Sequence, residues 1–120
     1  MEHLESDLQI NCIRWFRLQH PRFDKLLFAV PNGGKRNARE ALRLKDEGVV
    51  PGVSDLLFLF PNKLYNFLCI EMKINTTKQS DNQKIFEKEV KKVGGNYVIC
   101  KTFFDFQKAI NDHLKLSILT

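Results

Sequence analysis

The sequence predicts an α/β domain in which helices cover a mixed β-sheet of about four strands. The chain has 120 residues, of which 43% are hydrophobic and 28% are charged, as is ordinary for one compact globular domain. Short apolar segments rich in aliphatic and aromatic residues alternate with segments of helical spacing. Stretches rich in Gly and Pro separate them. We therefore expect residues 1–120 to form a single domain.

The first half of the chain is predicted to contain a helix, a strand and a second helix. Residues 4–18 carry apolar side chains at helical spacing, and Pro21 ends that segment. KLLFAV, residues 25–30, has the composition of a strand, and the PNGGK segment interrupts it. Asn37 is a suitable N-cap for a helix over residues 38–47, and Gly48 is suited to end it.

The second half is predicted to contain a hairpin, a helix, a strand and a last helix. DLLFLF, residues 55–60, and NFLCIEMK, residues 66–73, are strands joined by PNKLY, a loop of hairpin length. Ser80 is expected to open a helix that runs to residue 93, where Gly94 and Gly95 close it. NYVIC, residues 96–100, is the fourth strand, and a helix covers residues 104–116.

The hairpin predicts a cluster of charged side chains at one end of its two strands. If PNKLY is the whole loop, Phe60 lies opposite Asn66, and the same register places Asp55 opposite Glu71. Opposed side chains of an antiparallel pair lie on one face of the sheet. Lys73 shares that face with Glu71, because strand side chains alternate with period two. A slip of one residue would separate the three side chains.

Such a cluster is suited to a divalent cation. Two opposed carboxylates beside a hydrophobic sheet repel each other, and a cation removes that cost. Hard ions such as Mg²⁺ prefer carboxylate oxygens, and they activate water or stabilise charge on a phosphate. Lys73 would orient the water or neutralise the developing charge. In the alternative, Asp55 merely begins its strand and Glu71 and Lys73 form a solvated strand end. We favour the metal site, because both strands carry their charge at the same rim.

Composition and charge exclude several other kinds of protein. An odd number of widely spaced cysteines argues against a disulfide framework and for a reducing, cytoplasmic location: Cys12, Cys69 and Cys100. Scattered histidines argue against a zinc site: His3, His20 and His113. No apolar run is long enough to span a bilayer, and the acidic N-terminus has no apolar signal region, so neither a membrane protein nor an exported one is expected.

A glycine-containing segment with basic residues, PNGGKRNAR at 31–39, lies ahead of the second helix. It is not a P-loop, because GxxxxGK[ST] is absent. In one interpretation the glycines serve only a turn before the helix. We favour contact with the DNA backbone, because backbone amides ahead of a helix suit a phosphate, and phosphate contacts give affinity without sequence preference. The predicted DNA-binding residues are Asn32, Gly33, Gly34, Lys35, Arg36, Arg39 and, in a polar loop beside the site, Lys78. Arg43 and Lys45 fit a solvated helix face better.

The ordered set of motifs resembles a known nuclease family. PGVSDLLF, with a sixteen-residue step from Asp55 to Glu71 in IEMK, resembles the core motif of the PD-(D/E)XK nuclease superfamily. PNGGKR at 31–36, AREALRLKDEGVVPGVSD at 38–55, IEMK at 70–73 and Gln83 together resemble the virus-type replication-repair nuclease (VRR-NUC) branch, as do Glu5 and Gln9 in the first helix. The resemblance covers nearly the whole chain. Its one departure is that Ser54, rather than a proline, precedes Asp55.

The resemblance implies a restriction-endonuclease-like core and a deoxyribonuclease that uses Mg²⁺ or Mn²⁺. Asp55 and Glu71 would bind the metal with the carbonyl of Met72, Lys73 would be the catalytic lysine, and Glu5 would complete the acidic cluster. Glu2 and Asp7 are rivals to Glu5, and favourable placement of acids at a helix N-terminus is an alternative explanation for all three.

Gln83 has two explanations that are compatible with each other. SDNQ, residues 80–83, forms a capping box in which Ser80 and Gln83 satisfy each other's backbone amides. The family pattern instead puts the glutamine near the active site, so we include it among the candidate catalytic residues.

The function expected from these observations is metal-dependent DNA endonuclease activity in replication or repair. The resemblance suggests a structure-selective enzyme that acts on branched or junction DNA as a homodimer. The alternative is a nuclease-like fold that serves as a catalytically inactive DNA-binding or assembly module, and an RNA substrate is a weaker third possibility. A purely binding role would not need the costly cluster of Asp55, Glu71 and Lys73.

Overall fold

The computed structural model describes residues 4–31 and 37–118. The helices are α1 (Leu4–Gln19), α2 (Ala38–Asp46), α3 (Asp81–Lys92) and α4 (Phe103–Lys115), with a short 3₁₀ turn at Pro21–Phe23. The strands are β1 (Leu27–Ala29), β2 (Leu56–Phe58), β3 (Leu68–Met72) and β4 (Asn96–Cys100). The expected order of elements is confirmed, as is the mixed four-stranded sheet with flanking helices.

The sheet has the strand order β1-β2-β3-β4. The first three strands are antiparallel neighbours, and β4 runs parallel to β3 after the crossover through α3. The pairing of Leu56 with Ile70 and of Phe58 with Leu68 is in the predicted hairpin register. One step beyond the ladder, this register sets Asp55 opposite Glu71.

Two apolar layers enclose the sheet. On one face, α1 and α4 pack through Cys12, Phe16, Phe106 and Ile110 onto strand residues that include Leu56, Phe58, Leu68, Ile70 and Met72. On the other face, α3 packs through Val90 and Phe86 onto Cys69, Tyr97 and Leu57. Because β-strand side chains alternate, the side chain of Glu71 is on the α3 face, opposite to those of its neighbours Ile70 and Met72. It is buried there.

Helix caps appear where the local sequence predicts them. The side chain of Asn37 accepts a hydrogen bond from the Glu40 amide at 2.8 Å, and Ser80 and Gln83 form a complete capping box at α3. Gly48 and Gly94 follow their helices with φ of +105° and +85°, a conformation that glycine adopts without strain.

Strands β1, β2 and β3 are shorter than predicted, whereas β4 has the predicted bounds, and the connection between β2 and β3 is longer than PNKLY. It covers residues 59–67, because Asn62 builds its own turn there: its side-chain oxygen accepts hydrogen bonds from the Leu64 and Tyr65 amides at 2.9 and 2.7 Å. The Asn62 amide group donates to the carbonyl of His113 at 3.0 Å, which fastens the loop to α4. Likewise, Lys25 and Leu26 belong to the turn before β1.

In the described part of the chain, no helix combines the length and the apolarity needed to cross a bilayer.

Candidate active site

Asp55 lies directly before β2, where hydrogen bonds tie it to residues at the ends of β1 and β3. Its carbonyl accepts a hydrogen bond from the Val30 amide at 2.9 Å, which continues the pairing with β1. Its carboxylate accepts from the Met72 amide at 2.6 Å, at the end of β3. Burial raises the pKa of Asp55 above its ordinary value, the Met72 bond opposes that shift, and the charge of Glu71 adds to it. The carboxylate is therefore held in place at an electrostatic cost.

The segment that leads to Asp55 is held by close packing. Gly52 has a φ of +86°, and a Cβ at this position would lie 2.5 Å from the main-chain carbon of Asn82 in the first turn of α3. Ser54, which stands in place of the superfamily's proline, is buried, and its hydroxyl donates to the Leu56 carbonyl at 3.1 Å. This hydrogen bond restrains the backbone on both sides of Asp55.

Glu71 is fully buried, with 0% of its surface exposed. One carboxylate oxygen, Oε1, accepts hydrogen bonds from the Tyr97 hydroxyl and, at 3.0 Å, from the Gln79 amide. The other, Oε2, has no hydrogen-bond partner among residues 4–31 and 37–118, and the Lys73 Nζ lies 3.8 Å from it. A buried carboxylate oxygen without a hydrogen bond is costly, so this atom is suited to a cation.

Lys73 follows β3 directly, and its side chain is 11% exposed. Its main-chain amide donates to the Cys100 carbonyl at 3.0 Å, so the backbone is fixed by one further step of the pairing with β4. The structure thus brings together the three predicted side chains of the hairpin: Asp55, Glu71 and Lys73. The carbonyl of Met72 points to the same side of β3 as the Met72 amide, which faces Asp55.

Glu5 is in the first turn of α1 and borders the same site. Together with Asp55, Gln9 and Val30, it lines an open cavity of about 400 Å³. The pKa of Glu5 is raised first by burial and then by the negative charge of Asp55, while Lys73 opposes the shift. Of its rivals, Asp7 is exposed. Glu2 lies outside the described residues.

Gln83 is used by the capping box. Its side-chain oxygen accepts a hydrogen bond from the main-chain amide of Ser80 at 2.8 Å. The main-chain amide of Gln83 donates to the Ser80 hydroxyl at 3.2 Å. The close contact of Gly52 with Asn82 brings the first turn of α3 against the segment that carries Asp55. The cap engages only the oxygen of the Gln83 side chain, so its NH₂ group stays compatible with the predicted role.

Most of the predicted DNA-binding segment lies outside the described residues: Asn32, Gly33, Gly34, Lys35 and Arg36. Arg39 is exposed in the first turn of α2 and borders a small cavity with Asn37 and Arg43. Lys78 is exposed in the loop between β3 and α3.

Sequence reasoning missed the two residues that hold Glu71, Tyr97 and Gln79. Tyr97 on β4 lies beside Cys69 on β3, so the two side chains share one face of the sheet. Glu71 is two residues after Cys69 and therefore lies on that face as well. That parity was a usable signal for Tyr97. Gln79 lies in an irregular polar loop, and no pattern in the sequence distinguishes it.

The donor set suits a hard cation in its chemistry, but it is not a closed cage. Over residues 4–31 and 37–118, no three side chains of the His, Cys, Asp and Glu types converge as a ready metal site. Two carboxylates and a main-chain carbonyl leave several positions to water, which is how Mg²⁺ is usually held. The partnerless Oε2 of Glu71 is the observation that fits a cation best.

Comparison with known proteins gives a family and a fold. The family model of the VRR-NUC domain matches residues 3–104. A solved structure described as a VRR_NUC domain protein superposes with a TM-score of 0.83 at 23% sequence identity, over 94% of this chain and 89% of that one. A search among curated proteins found no match. Since the family model covers most of the sequence and the fold agrees, this chain belongs to the VRR-NUC family of nucleases.

Proposed function

We propose that this protein is a metal-dependent deoxyribonuclease that hydrolyses phosphodiester bonds within DNA. The observation that carries the proposal is the state of Glu71, which lies near Lys73 and at the same rim as Asp55. Its carboxylate is fully buried, and one of its oxygens has no hydrogen bond from any residue that the structure describes. A binding module would gain nothing from such a group, because an unsatisfied buried charge costs folding free energy.

The residues that would hold Mg²⁺ or Mn²⁺ are Asp55, Glu71 and the main-chain carbonyl of Met72, with Glu5 at the border of the cavity. When bound, the cation activates the attacking water and stabilises charge on the scissile phosphate. The Met72 amide fixes the Asp55 carboxylate at 2.6 Å, so that this ligand does not have to be ordered during the reaction. The raised pKa values of Glu5 and Asp55 are typical of clustered carboxylates that a bound cation would stabilise in their ionised form.

Lys73 would act on the substrate rather than on the protein. Its ammonium group reaches the rim from the end of β3, and a backbone bond to β4 holds its main chain. A fixed positive charge in a partly buried site stabilises the negative charge that develops on the phosphate oxygens. Gln83, at the first turn of α3, would assist through its NH₂ group.

We further propose that the substrate is branched or junction DNA met in replication or repair, and that two copies of the chain act together. The family of the chain supports this proposal. Arg39, Lys78 and residues 32–36 would contact the phosphate backbone. A cleavage panel of four-way junctions, flaps, nicked duplex and plain duplex tests the selectivity. Light scattering after size-exclusion chromatography tests the dimer, and a monomer at working concentration would contradict it.

Plasmid cleavage by the purified protein tests the activity itself. We expect cleavage with Mg²⁺ or Mn²⁺, its loss in EDTA, and its loss in Asp55→Ala and Lys73→Ala. The matched controls are Asp112→Ala and Lys108→Ala, which change an exposed ion pair on α4 and should cleave normally. Cleavage retained in both Asp55→Ala and Lys73→Ala would refute the assignment. DNA binding without metal binding or cleavage would favour the inactive module.

A further inference from the structure

The buried carboxylate of Glu71 is held asymmetrically. Both of its hydrogen-bond donors, the Tyr97 hydroxyl and the Gln79 amide, bind the same oxygen, Oε1. The Oε2 atom is left to the side of Lys73. A carboxylate held at one oxygen cannot turn freely about its last torsion, so the direction of the second oxygen is fixed by the first.

The Gln79 amide connects this buried acid to the outer surface of α3. Its nitrogen donates to Glu71 Oε1 at 3.0 Å and to Glu87 Oε1 at 2.9 Å. Glu87 in turn accepts a hydrogen bond from the Lys91 ammonium at 2.6 Å, through its other oxygen. The two hydrogens of one NH₂ group are thus divided between two carboxylates. The amide has one favourable orientation, because a flip would turn its carbonyl oxygen toward both acids.

We propose that Gln79 is a positioning residue of the active site, which acts with Tyr97 to occupy Oε1 of Glu71 and so direct Oε2 to the metal. This inference rests on the proposed nuclease function. Glu87 completes the arrangement by drawing the second hydrogen of the amide and thereby orienting it. Loss of a side chain that orients a metal ligand typically weakens metal binding by about 10- to 100-fold, although that side chain does not touch the ion.

A positioning role predicts a particular pattern of losses. The Gln79→Met variant keeps the length of the side chain and removes both hydrogen bonds, and Tyr97→Phe keeps the ring and removes the hydroxyl. Either change leaves a single donor on Glu71 Oε1, so the carboxylate is less restrained and metal binding weakens. Neither alters the basic surface that would hold DNA, so the KM for DNA should remain near that of the unaltered protein.

Titration calorimetry of the full chain with Mn²⁺ tests this directly, without reference to catalysis. We expect Gln79→Met and Tyr97→Phe each to weaken Mn²⁺ binding by about 10- to 100-fold. In cleavage assays at limiting Mn²⁺, kcat should fall while the KM for DNA is retained. The double variant should lose less than the product of the two single effects, because both donors serve one oxygen. The control Gln107→Met changes a half-buried glutamine on α4, at the opposite face of the sheet, and should bind Mn²⁺ normally.

Variants of Glu87 test whether this residue orients the Gln79 amide or acts only through its surface charge. Glu87→Met, which removes the acceptor for the Gln79 amide, should weaken Mn²⁺ binding in the unaltered chain, and it should have no further effect in a Gln79→Met background. Glu89→Met removes a neighbouring carboxylate of α3 that pairs with Lys92 at 2.9 Å, and it should have no effect in either background. An equal effect of Glu87→Met and Glu89→Met would mean that only surface charge is sensed, which would overturn this part of the inference.

The outcomes distinguish the inference from the function on which it rests. If the unaltered protein binds Mn²⁺ and cleaves DNA, and Gln79→Met and Tyr97→Phe bind Mn²⁺ equally well, the positioning role is refuted while the nuclease proposal stands. If the unaltered protein neither binds Mn²⁺ nor cleaves DNA, both are refuted. Both substitutions preserve side-chain size, and thermal unfolding of the metal-free variants checks that they are folded.

Discussion

The carboxylate of Asp55 accepts a hydrogen bond from the main-chain amide of Met72 at 2.6 Å, which ties the start of β2 to the end of β3. The bond fixes an acidic side chain beside Glu71, although the two carboxylates raise each other's electrostatic cost. Preorganisation of this kind places the metal ligands before the cation binds. The repulsion between the carboxylates then lowers the stability of the metal-free folded protein. The first prediction follows from that conflict.

Asp55→Asn should stabilise the metal-free protein at neutral pH while it abolishes cleavage. The asparagine oxygen can still accept from Met72, but the buried charge is gone. Because burial raises the pKa of Asp55 above its ordinary value of 3.8, the folded state binds the proton more tightly than the unfolded state. The native aspartate therefore lowers the free energy of unfolding as pH rises from its ordinary pKa of 3.8 through the raised pKa of the folded state. Below about pH 4 this destabilisation disappears.

Thermal unfolding in EDTA measures this effect. We expect a rise in Tm of about 2–5 °C at pH 7 for Asp55→Asn, which should shrink as pH approaches 4. Added Mg²⁺ should raise the Tm of the unaltered protein and leave that of Asp55→Asn unchanged. Asp112→Asn is the control, because Lys108 lowers the pKa of that exposed carboxyl, so its removal should bring no gain. A lower Tm for Asp55→Asn at pH 7 would contradict the prediction.

Lys73→Met should have the opposite effect on stability. The fully buried Glu71 would lose the ammonium group that lies 3.8 Å from its Oε2, and the methionine supplies no charge. We expect a loss of about 1–3 kcal/mol in the free energy of unfolding. The cleavage rate should fall by a factor of about 10²–10³, as for the loss of one electrostatic stabiliser of a transition state.

Urea unfolding and single-turnover cleavage measure the two consequences of Lys73→Met separately. Lys101→Met, an exposed lysine just after β4, is the matched control and should be neutral in both assays. Unchanged stability together with normal cleavage in Lys73→Met would show that the ammonium group is a solvated strand end, which is the alternative that the sequence left open.

Gly52→Ala should destabilise the protein and displace the segment that carries Asp55. Its φ of +86° strains any other residue, and the new Cβ would lie 2.5 Å from the Asn82 main chain. We expect a loss of about 2–4 kcal/mol in the free energy of unfolding. The control is Gly48→Ala, which has a φ of +105° but open space around its Cβ, and which should cost only the backbone strain, about 1–2 kcal/mol. Equal urea midpoints for the two variants would refute the close contact.

The parts of this molecule that the sequence predicts are those governed by local chemistry. The Asn37 cap and the Ser80 capping box depend on residues three apart, and the hairpin register depends on the alternation of two neighbouring strands. The position of Asp55 opposite Glu71 follows from that register alone. Such features can be read from a single sequence, because no distant part of the chain is needed to form them.

The parts that the sequence did not reveal depend on contacts between distant segments. Tyr97 reaches Glu71 only because β4 adds to the sheet beside β3, and the orientation of Gln79 depends on where α3 packs. The β2–β3 connection exceeded its expected length where Asn62 builds its own turn, and that turn is fastened by a hydrogen bond to His113, which is 51 residues away along the chain. Neither the composition nor the spacing of PNKLY carries information about α4.

The contact between Asn62 and His113 predicts acid sensitivity. His113 is buried, its Nε2 is hydrogen-bonded to the Phe60 carbonyl, and its Nδ1 lies 3.1 Å from the Asn62 Nδ2. Since the asparagine NH₂ group is a donor, Nδ1 must accept, and the ring is neutral with its proton on Nε2. A second proton, on Nδ1, would face the NH₂ group of Asn62 and break the bond between that group and the ring, while the Asn62 bond to the His113 carbonyl remains.

Urea unfolding at pH 7 and at pH 5.5 should therefore show a loss of stability that depends on His113. Burial lowers the pKa of His113 below its ordinary value of 6.5, so the unfolded state takes up the proton first. Stability is then fully present above pH 6.5 and falls as pH decreases toward the lowered pKa. His113→Gln, which cannot be protonated, should lower stability at pH 7 but reduce its fall between the two pH values. An equal fall in His113→Gln and in the unaltered protein would show that His113 does not cause the acid sensitivity.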